Sequence, residues 1–249
     1  MSMIPKTIHY CWFGGKKLPK LAQRCIKSWK RYFPDYEIKR WDETNFDINS
    51  NDYVKEAYNL KRYAFVSDYA RFWILYNYGG IYFDTAVEVI KSMDDILKQG
   101  AYIGFESFEG QEPLFVNPGL GMAAEKGNNF LREMLELYNS IHFVDEKGVP
   151  TLKSIVMYTS EQLIEKGLKI GSGGGIQNIN GFRIYPKDYF NPWDCVNKKI
   201  ITTPNTRTIH YFAGTWITPK ERFMHKVEEV FGKRGVSIIH KIKVCILGK

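Results

Sequence analysis

An open α/β sheet flanked by helices is the fold class this sequence predicts, and three observations predict it. Short apolar runs rich in β-branched and aromatic residues alternate with longer segments of helical period. A long helical pattern ends at Gly79-Gly80 and leads directly into the apolar run Ile81-Tyr82-Phe83. At 249 residues and 44% hydrophobic, the chain is long enough to bury one large core without disulfide or metal staples.

The elements follow in order. "KTIHYCWF" reads as a strand that stops at Gly14-Gly15, and Leu21, Cys25, Ser28/Trp29 and Tyr32 then recur at helical spacing until Pro34 ends the pattern. "YEIKRW" alternates like a second strand. Leu60 to Tyr78 reads as one helix whose stripe Ala64, Asp68, Arg71, Leu75 follows i, i+4, i+7, i+11, with Gly79 or Gly80 as its C-terminal cap. The strand through Asp84 continues as "FDTAVEV", which would set Asp84, Ala86 and Glu88 on one face. "AYIGF" and "PLFVNPGLGMAA" read as strands, Asn128 to Ser140 and Leu152 to Lys166 as helices, Gly171 to Gly175 as a flexible connection, and "FRIYP" and "RTIHYF" as closing strands. There is no internal repeat. One domain, 1–225, with a basic amphipathic C-terminal tail, 226–249, is the simplest organisation.

Composition narrows the partners. There is no uninterrupted run of about 18 apolar residues, and Pro5, Lys6 and His9 interrupt any signal-peptide core, so the protein is expected to start here. Cys11, Cys25, Cys195 and Cys245 lack CxxC spacing, which favours free thiols in a reducing cytoplasm. A net charge of +8 favours anionic partners. The tail carries six Lys or Arg against Glu228 and Glu229, half of that excess. From Gly235 onward, Val236, Ile239, Ile242 or Lys243, and Ile246 share a helical stripe, the pattern of a segment lying on an anionic membrane surface. The basic residues do not interleave with aromatics in a nucleic-acid motif, so nucleic acid is not an expected partner.

Several residues could carry chemistry. Asp68 and Arg71 stand three apart on an otherwise core-like stripe; the plain reading is a helical ion pair, and the functional one is a pair bordering a polar cavity, able to hold hydroxyls or phosphate. Trp12, at the end of a strand and before two glycines, is either core or a stacking platform for a nucleobase. His210 and Trp216 read first as structural residues. The glycines at 119–121 and 171–175 match neither GxGxxG nor GxxxxGK[ST], and no GxSxG elbow is present. In open α/β sheets ligands bind beyond the carboxyl ends of the strands. Asp84, the Trp12 turn and the His210 segment all occupy such ends.

Taken together, "IPKTIHYCWFGG", "YAFVSDYARFWILYNYGGIYFDTAVEV", "NPGLGMAAEKG" and "IHYFAGTW" resemble glycosyltransferase family 32, most closely its bacterial capsular polysaccharide members, over Ile4 to about Pro219. The resemblance implies a GT-A fold, a nucleotide-diphosphate-sugar donor (a UDP-sugar first), a divalent cation (Mn2+ or Mg2+) and retention of anomeric configuration. It also implies a glycan acceptor; the basic tail makes a lipid-linked acceptor useful, and tail and free thiols together place the expected enzyme in the cytoplasm, peripheral on the inner face of the membrane. Carried over by position, Trp12 stacks on the base, Ser67 lies near the ribose, and Asp68 and Arg71 hold the sugar with Tyr82 beside it. Asp84 is the first carboxylate of the DXD motif, and His210 and Trp216 belong to the segment that closes over the diphosphate, His210 as a further metal ligand. The departure is Ala86, which stands where the family has its second aspartate. Two accounts stay open: an alanine placed deliberately to trap substrates in a dead enzyme, and a natural member that has lost activity.

Overall fold

The β-branched and aromatic residues of Thr7–Cys11 form the central strand β1, flanked in parallel by β2 (Glu37–Trp41) and later by the third strand. Between β1 and β2 runs α1 (Lys20–Tyr32), and α2 (Asp52–Asn59) and α3 (Tyr63–Tyr78) precede β3 (Gly80–Tyr82) and β4 (Val87–Val89). Then come α4 (Asp94–Leu97), β5 (Tyr102–Phe108), β6 (Gln111–Asn117), a 3-10 turn (Pro118–Leu120), β7 (Met122–Ala124), α5 (Asn129–Asn139) and α6 (Ile155–Glu165). The remaining elements are β8 (Gln177–Ile179), β9 (Phe182–Tyr185), α7 (Lys187–Phe190), β10 (Trp193–Asp194), β11 (Lys199–Ile200) and β12 (Thr208–His210). The computed structural model describes residues 3–108, 111–151, 153–170, 175–194, 197 and 199–214.

The principal sheet runs β2-β1-β3-β7-β5-β9-β8, with β6 also paired to β5. It is mixed: β1, β2 and β3 are parallel, whereas β7 runs against β3 and β5. The two-residue period of the strands divides their side chains between two apolar layers. Ile81 packs in the layer that holds Trp29 of α1, and its neighbour Tyr82 in the layer that holds Phe72 of α3. Met1–Phe212 is one compact unit and Ala213–Lys249 another. Trp216, Cys245 and the amphipathic tail lie outside the described residues, as do Cys195 and most of the 171–175 connection.

Three local expectations are corrected. The helix expected from Leu60 begins at Tyr63, because Lys61 takes a left-handed φ of 57° and separates α3 from a distinct helix, α2; no Gly or Pro marks that break. "PLFVNPGLGMAA" is two strands, since Pro118 opens a 3-10 turn and Gly121 has a φ of 119°. "FDTAVEV" is not one strand: β3 stops at Tyr82, and Asp84 to Val87 form a turn closed by Val87 N–H donating to Asp84 O at 3.0 Å.

Candidate active site

The helix α3 is apolar on nearly all sides, so its two charges are carried into the interior: Asp68 is 7% and Arg71 3% exposed. Isolated charges there would be strongly destabilising. Arg71 is therefore wrapped by acceptors. Its Nε donates to Ser67 O at 3.1 Å, and its Nη2 donates to Asp68 Oδ1 at 2.9 Å and lies 3.4 Å from Asp84 Oδ1. The Tyr82 ring lies 4.9 Å beneath the guanidinium. The other terminal nitrogen, Nη1, is buried with no hydrogen-bond partner among the described residues. Burial pushes the Asp68 carboxyl up to about 7 against the pull of Arg71.

Asp84 reaches the same point from the sheet. Gly80, with a φ of 103°, sits so close to Thr7 O that a Cβ would overlap it, and this contact lays β3 against β1. Phe83 N–H then donates to His9 O, and the chain turns at Asp84. The Asp84 carboxylate accepts from the Tyr82 hydroxyl at 3.3 Å, faces Arg71, and has His210 Nε2 at 3.9 Å from Oδ2. A third segment closes the space. The point where a Cβ would stand on Gly119 overlaps Asp84 Oδ2 and is 2.9 Å from Asn117 Oδ1 and 3.3 Å from Arg71 Nη1.

The turn changes the expected alignment of carboxylates. Glu88 does not share a face with Asp84. It accepts from the Tyr211 hydroxyl and lies 3.4 Å from Arg24 of α1. A strand alternation cannot be extended through a turn, which is why the pattern failed at 84–88.

The other residues named from sequence fall as follows. Ser67 bonds back to Tyr63 O through its hydroxyl and supports Arg71 through its carbonyl. Tyr82 is fully buried and touches the site through its hydroxyl and ring. Trp12 is half-buried at the end of β1, with its indole N–H donating to Lys16 O at 2.6 Å. Ala86 is buried and supplies no side-chain donor atom. Burial holds His210 down to about 4, so its ring is neutral at pH 7. The Phe212 N–H donates to its Nδ1, which leaves the ring proton on Nε2, facing Asp84.

For a cation, the described residues hold no cluster of three or more His, Cys, Asp or Glu. Asp84, already paired with Tyr82 and Arg71, is more exposed than Asp68 and offers one carboxylate, a donor set suited to an ion held mainly by the oxygens of a diphosphate. Glu106, Asn117 and Gly119 were missed in the sequence. "NPG" reads as an ordinary turn, and although "NPGLGMAAEKG" belongs to the resembling stretches, nothing in its spacing assigns Asn117 or Gly119 a role.

Residues 19–103, which span Asp68, Arg71 and Asp84, match the family described as "Glycosyltransferase sugar-binding region containing DXD motif". The chain is 32% identical over 229 residues to "Uncharacterized glycosyltransferase L373" of Acanthamoeba polyphaga mimivirus, covering 86% of this chain and 82% of that protein. It is 32% identical over 168 residues to "Inositol phosphoceramide mannosyltransferase 3" of Schizosaccharomyces pombe, covering 64% of this chain and 43% of the yeast protein, so it spans less than half of that relative's length. Among solved structures, "PaToxG Glycosyltransferase" superposes with a TM-score of 0.49 at 16% identity, over 66% of this chain and 70% of that one. The chain belongs to the glycosyltransferases, and its mixed sheet flanked by helices is the α/β arrangement of a GT-A fold.

Proposed function

We propose that this protein is a retaining, metal-dependent hexosyltransferase of family 32 that moves a sugar from a UDP-sugar to a glycan acceptor of a surface or capsular polysaccharide. The observation that carries the reading is the meeting of Arg71, Asp68 and Asp84, with one buried guanidinium nitrogen left without a partner among the described residues. A fixed cationic donor in a dry site stabilises the negative charge that grows on a departing diphosphate. Asp68 holds Arg71 in place, and Tyr82 orients Asp84 from below. Trp12 lies at the carboxyl end of β1, where a base would stack. A manganese or magnesium ion, when bound, would add Lewis-acid stabilisation of the same phosphates, with Asp84 and, after a change of tautomer, His210 as the residues to hold it.

The reading places the enzyme in the cytoplasm on the inner membrane face, with its basic tail on anionic lipid and its acceptor lipid-linked. The similarity to an inositol phosphoceramide mannosyltransferase supports a lipid-linked acceptor.

The second reading, a catalytically silent sugar-nucleotide-binding protein using the same pocket, is favoured by Ala86. A titration of manganese with UDP-sugars separates the two. We expect donors to raise the melting temperature of the natural chain and Ala86→Asp to raise metal-dependent transfer by about 10²–10³, the effect of restoring one electrostatic contact in the transition state. Equal activity of the two forms would remove residue 86 from the metal site, and no shift with any donor would overturn the donor-site reading.

A further inference from the structure

Glu106 is the buried ionisable side chain that the reading above leaves without a task. It lies on β5, is 8% exposed, and accepts from Asn117 Nδ2 at 2.7 Å through Oε2. No hydrogen bond to its other oxygen forms among the described residues, and no cation there makes an ion pair with it. Asn117 closes β6, opposite Gly104, so Glu106 is its diagonal neighbour on the same face of the strand pair. The amide is held at both ends: Oδ1 accepts from Gly119 N–H at 2.6 Å while Nδ2 donates to Glu106. One amide hydrogen remains available.

The position of this pair gives it a use. Asn117 Oδ1, Asp84 Oδ2 and the unpartnered Arg71 Nη1 surround one point, the place that a side chain at residue 119 would fill. Glycine keeps that point clear. A buried carboxylate bonded to Asn117, which lines this point, is an unfavourable choice for structure alone, because an amide would satisfy Asn117 without burying an acid. A carboxylate oxygen and an amide N–H side by side are complementary to adjacent hydroxyls, which both donate and accept. Burial also pushes the Glu106 carboxyl up to about 7, against the hydrogen bond from Asn117 and the charge of Lys187, with the charge of Asp84 adding a smaller push.

We propose that Glu106 and Asn117 read ring hydroxyls of the transferred sugar, with Glu106 as a specificity-determining residue of the donor site. The proposal rests on the nucleotide-sugar reading above and deepens it. Discrimination follows from the physics of unpaired polar groups: a sugar whose hydroxyl points away leaves the buried carboxylate without a donor, and a site built around a hydrogen bond rejects the analogue that lacks it.

The test is a binding titration of the full chain and of Glu106→Gln with free UDP and with UDP-sugars that differ in configuration at one ring carbon. The natural chain should prefer one epimer, and Glu106→Gln should reduce that preference by roughly ten- to hundredfold, the effect of one hydrogen bond to a charged acceptor. Free UDP should bind both forms equally, which a merely structural defect would not allow. Unchanged epimer preference in Glu106→Gln, no preference in the natural chain, or a parallel loss of UDP binding overturns the proposal and leaves the donor site standing. Failure of the natural chain to bind UDP or any UDP-sugar overturns both. If Glu106→Gln does not fold, Glu106→Asp and Asn117→Ser are read by the same ratio.

Discussion

Two buried arginines, Arg71 and Arg207, solve the problem of an interior charge in different ways. Arg207 is 8% exposed and is tied by Nη1 to the carbonyls of Pro204 and Asn205 and by Nη2 to Asp95 at 2.7 Å. Both terminal nitrogens are engaged, two of the acceptors are the backbone of its own loop, and Asp95 reaches solvent. Each guanidinium lies over a tyrosine ring and has one buried nitrogen with no partner among the described residues, but in Arg207 it is the inner Nε, whereas in Arg71, which faces two carboxylates, it is the terminal Nη1. A guanidinium whose terminal donors are met by the local chain stabilises the fold. One left open beside acids from two separate elements is held ready for a further anion.

The comparison is most directly broken at Arg71. Arg71→Lys keeps the charge but loses the planar fork, and we expect about 10²–10³ less turnover of the correct donor in steady-state kinetics. Arg207→Met should act on the other axis: loss of its carbonyl contacts should lower unfolding free energy by about 2 kcal/mol in urea titrations, with donor KM unchanged. If Arg207→Met altered KM and Arg71→Lys altered only stability, the assignment of the two residues would be reversed.

Gly119→Ala sharpens the same contrast within the site. Its backbone conformation admits alanine, but the methyl group would press on the Asp84 carboxylate. Donor binding should weaken by about tenfold, with an overpacking cost of ~1–3 kcal/mol visible in the melting curve.

The smallest effect concerns pH. Burial holds Glu106 at about 7, above its ordinary 4.5, and Asp68 is raised to about 7 as well. An acid with a raised folded-state pKa contributes stability that is complete below its unfolded pKa and lost as pH rises through the folded one. The urea midpoint should therefore carry a declining contribution between pH 4.5 and about 7, and Glu106→Gln should flatten that decline. An unchanged slope in the variant would show that Glu106 does not titrate in that range.

Much of the scaffold was legible because it is periodic. The α3 stripe placed Asp68 and Arg71 together, three residues on one helix being a local relation that needs no tertiary contact. The Gly79-Gly80 break announced the strand that delivers Asp84. The break at Lys61 was hidden, since a lysine in left-handed geometry is stabilised by its surroundings and not by its own preference. The alternation from Asp84 to Glu88 misled for a related reason: polar and apolar residues alternate there, yet the chain turns, and Glu88 is claimed by Tyr211 and Arg24, which are distant in sequence.

What the residue order settles on its own is therefore which elements exist and which side chains are neighbours within one element: the helical pair and the glycine-broken entry to the sheet. Which residues meet across elements was decided by packing. Asn117, Gly119 and Glu106 come from a strand pair and turn more than twenty residues beyond Asp84, and they join it only because β7 enters the sheet antiparallel to β3 and brings the preceding turn over the end of that strand. Spacing along a chain encodes the local period, whereas a close approach between segments depends on where the sheet places them and on a glycine small enough to permit it.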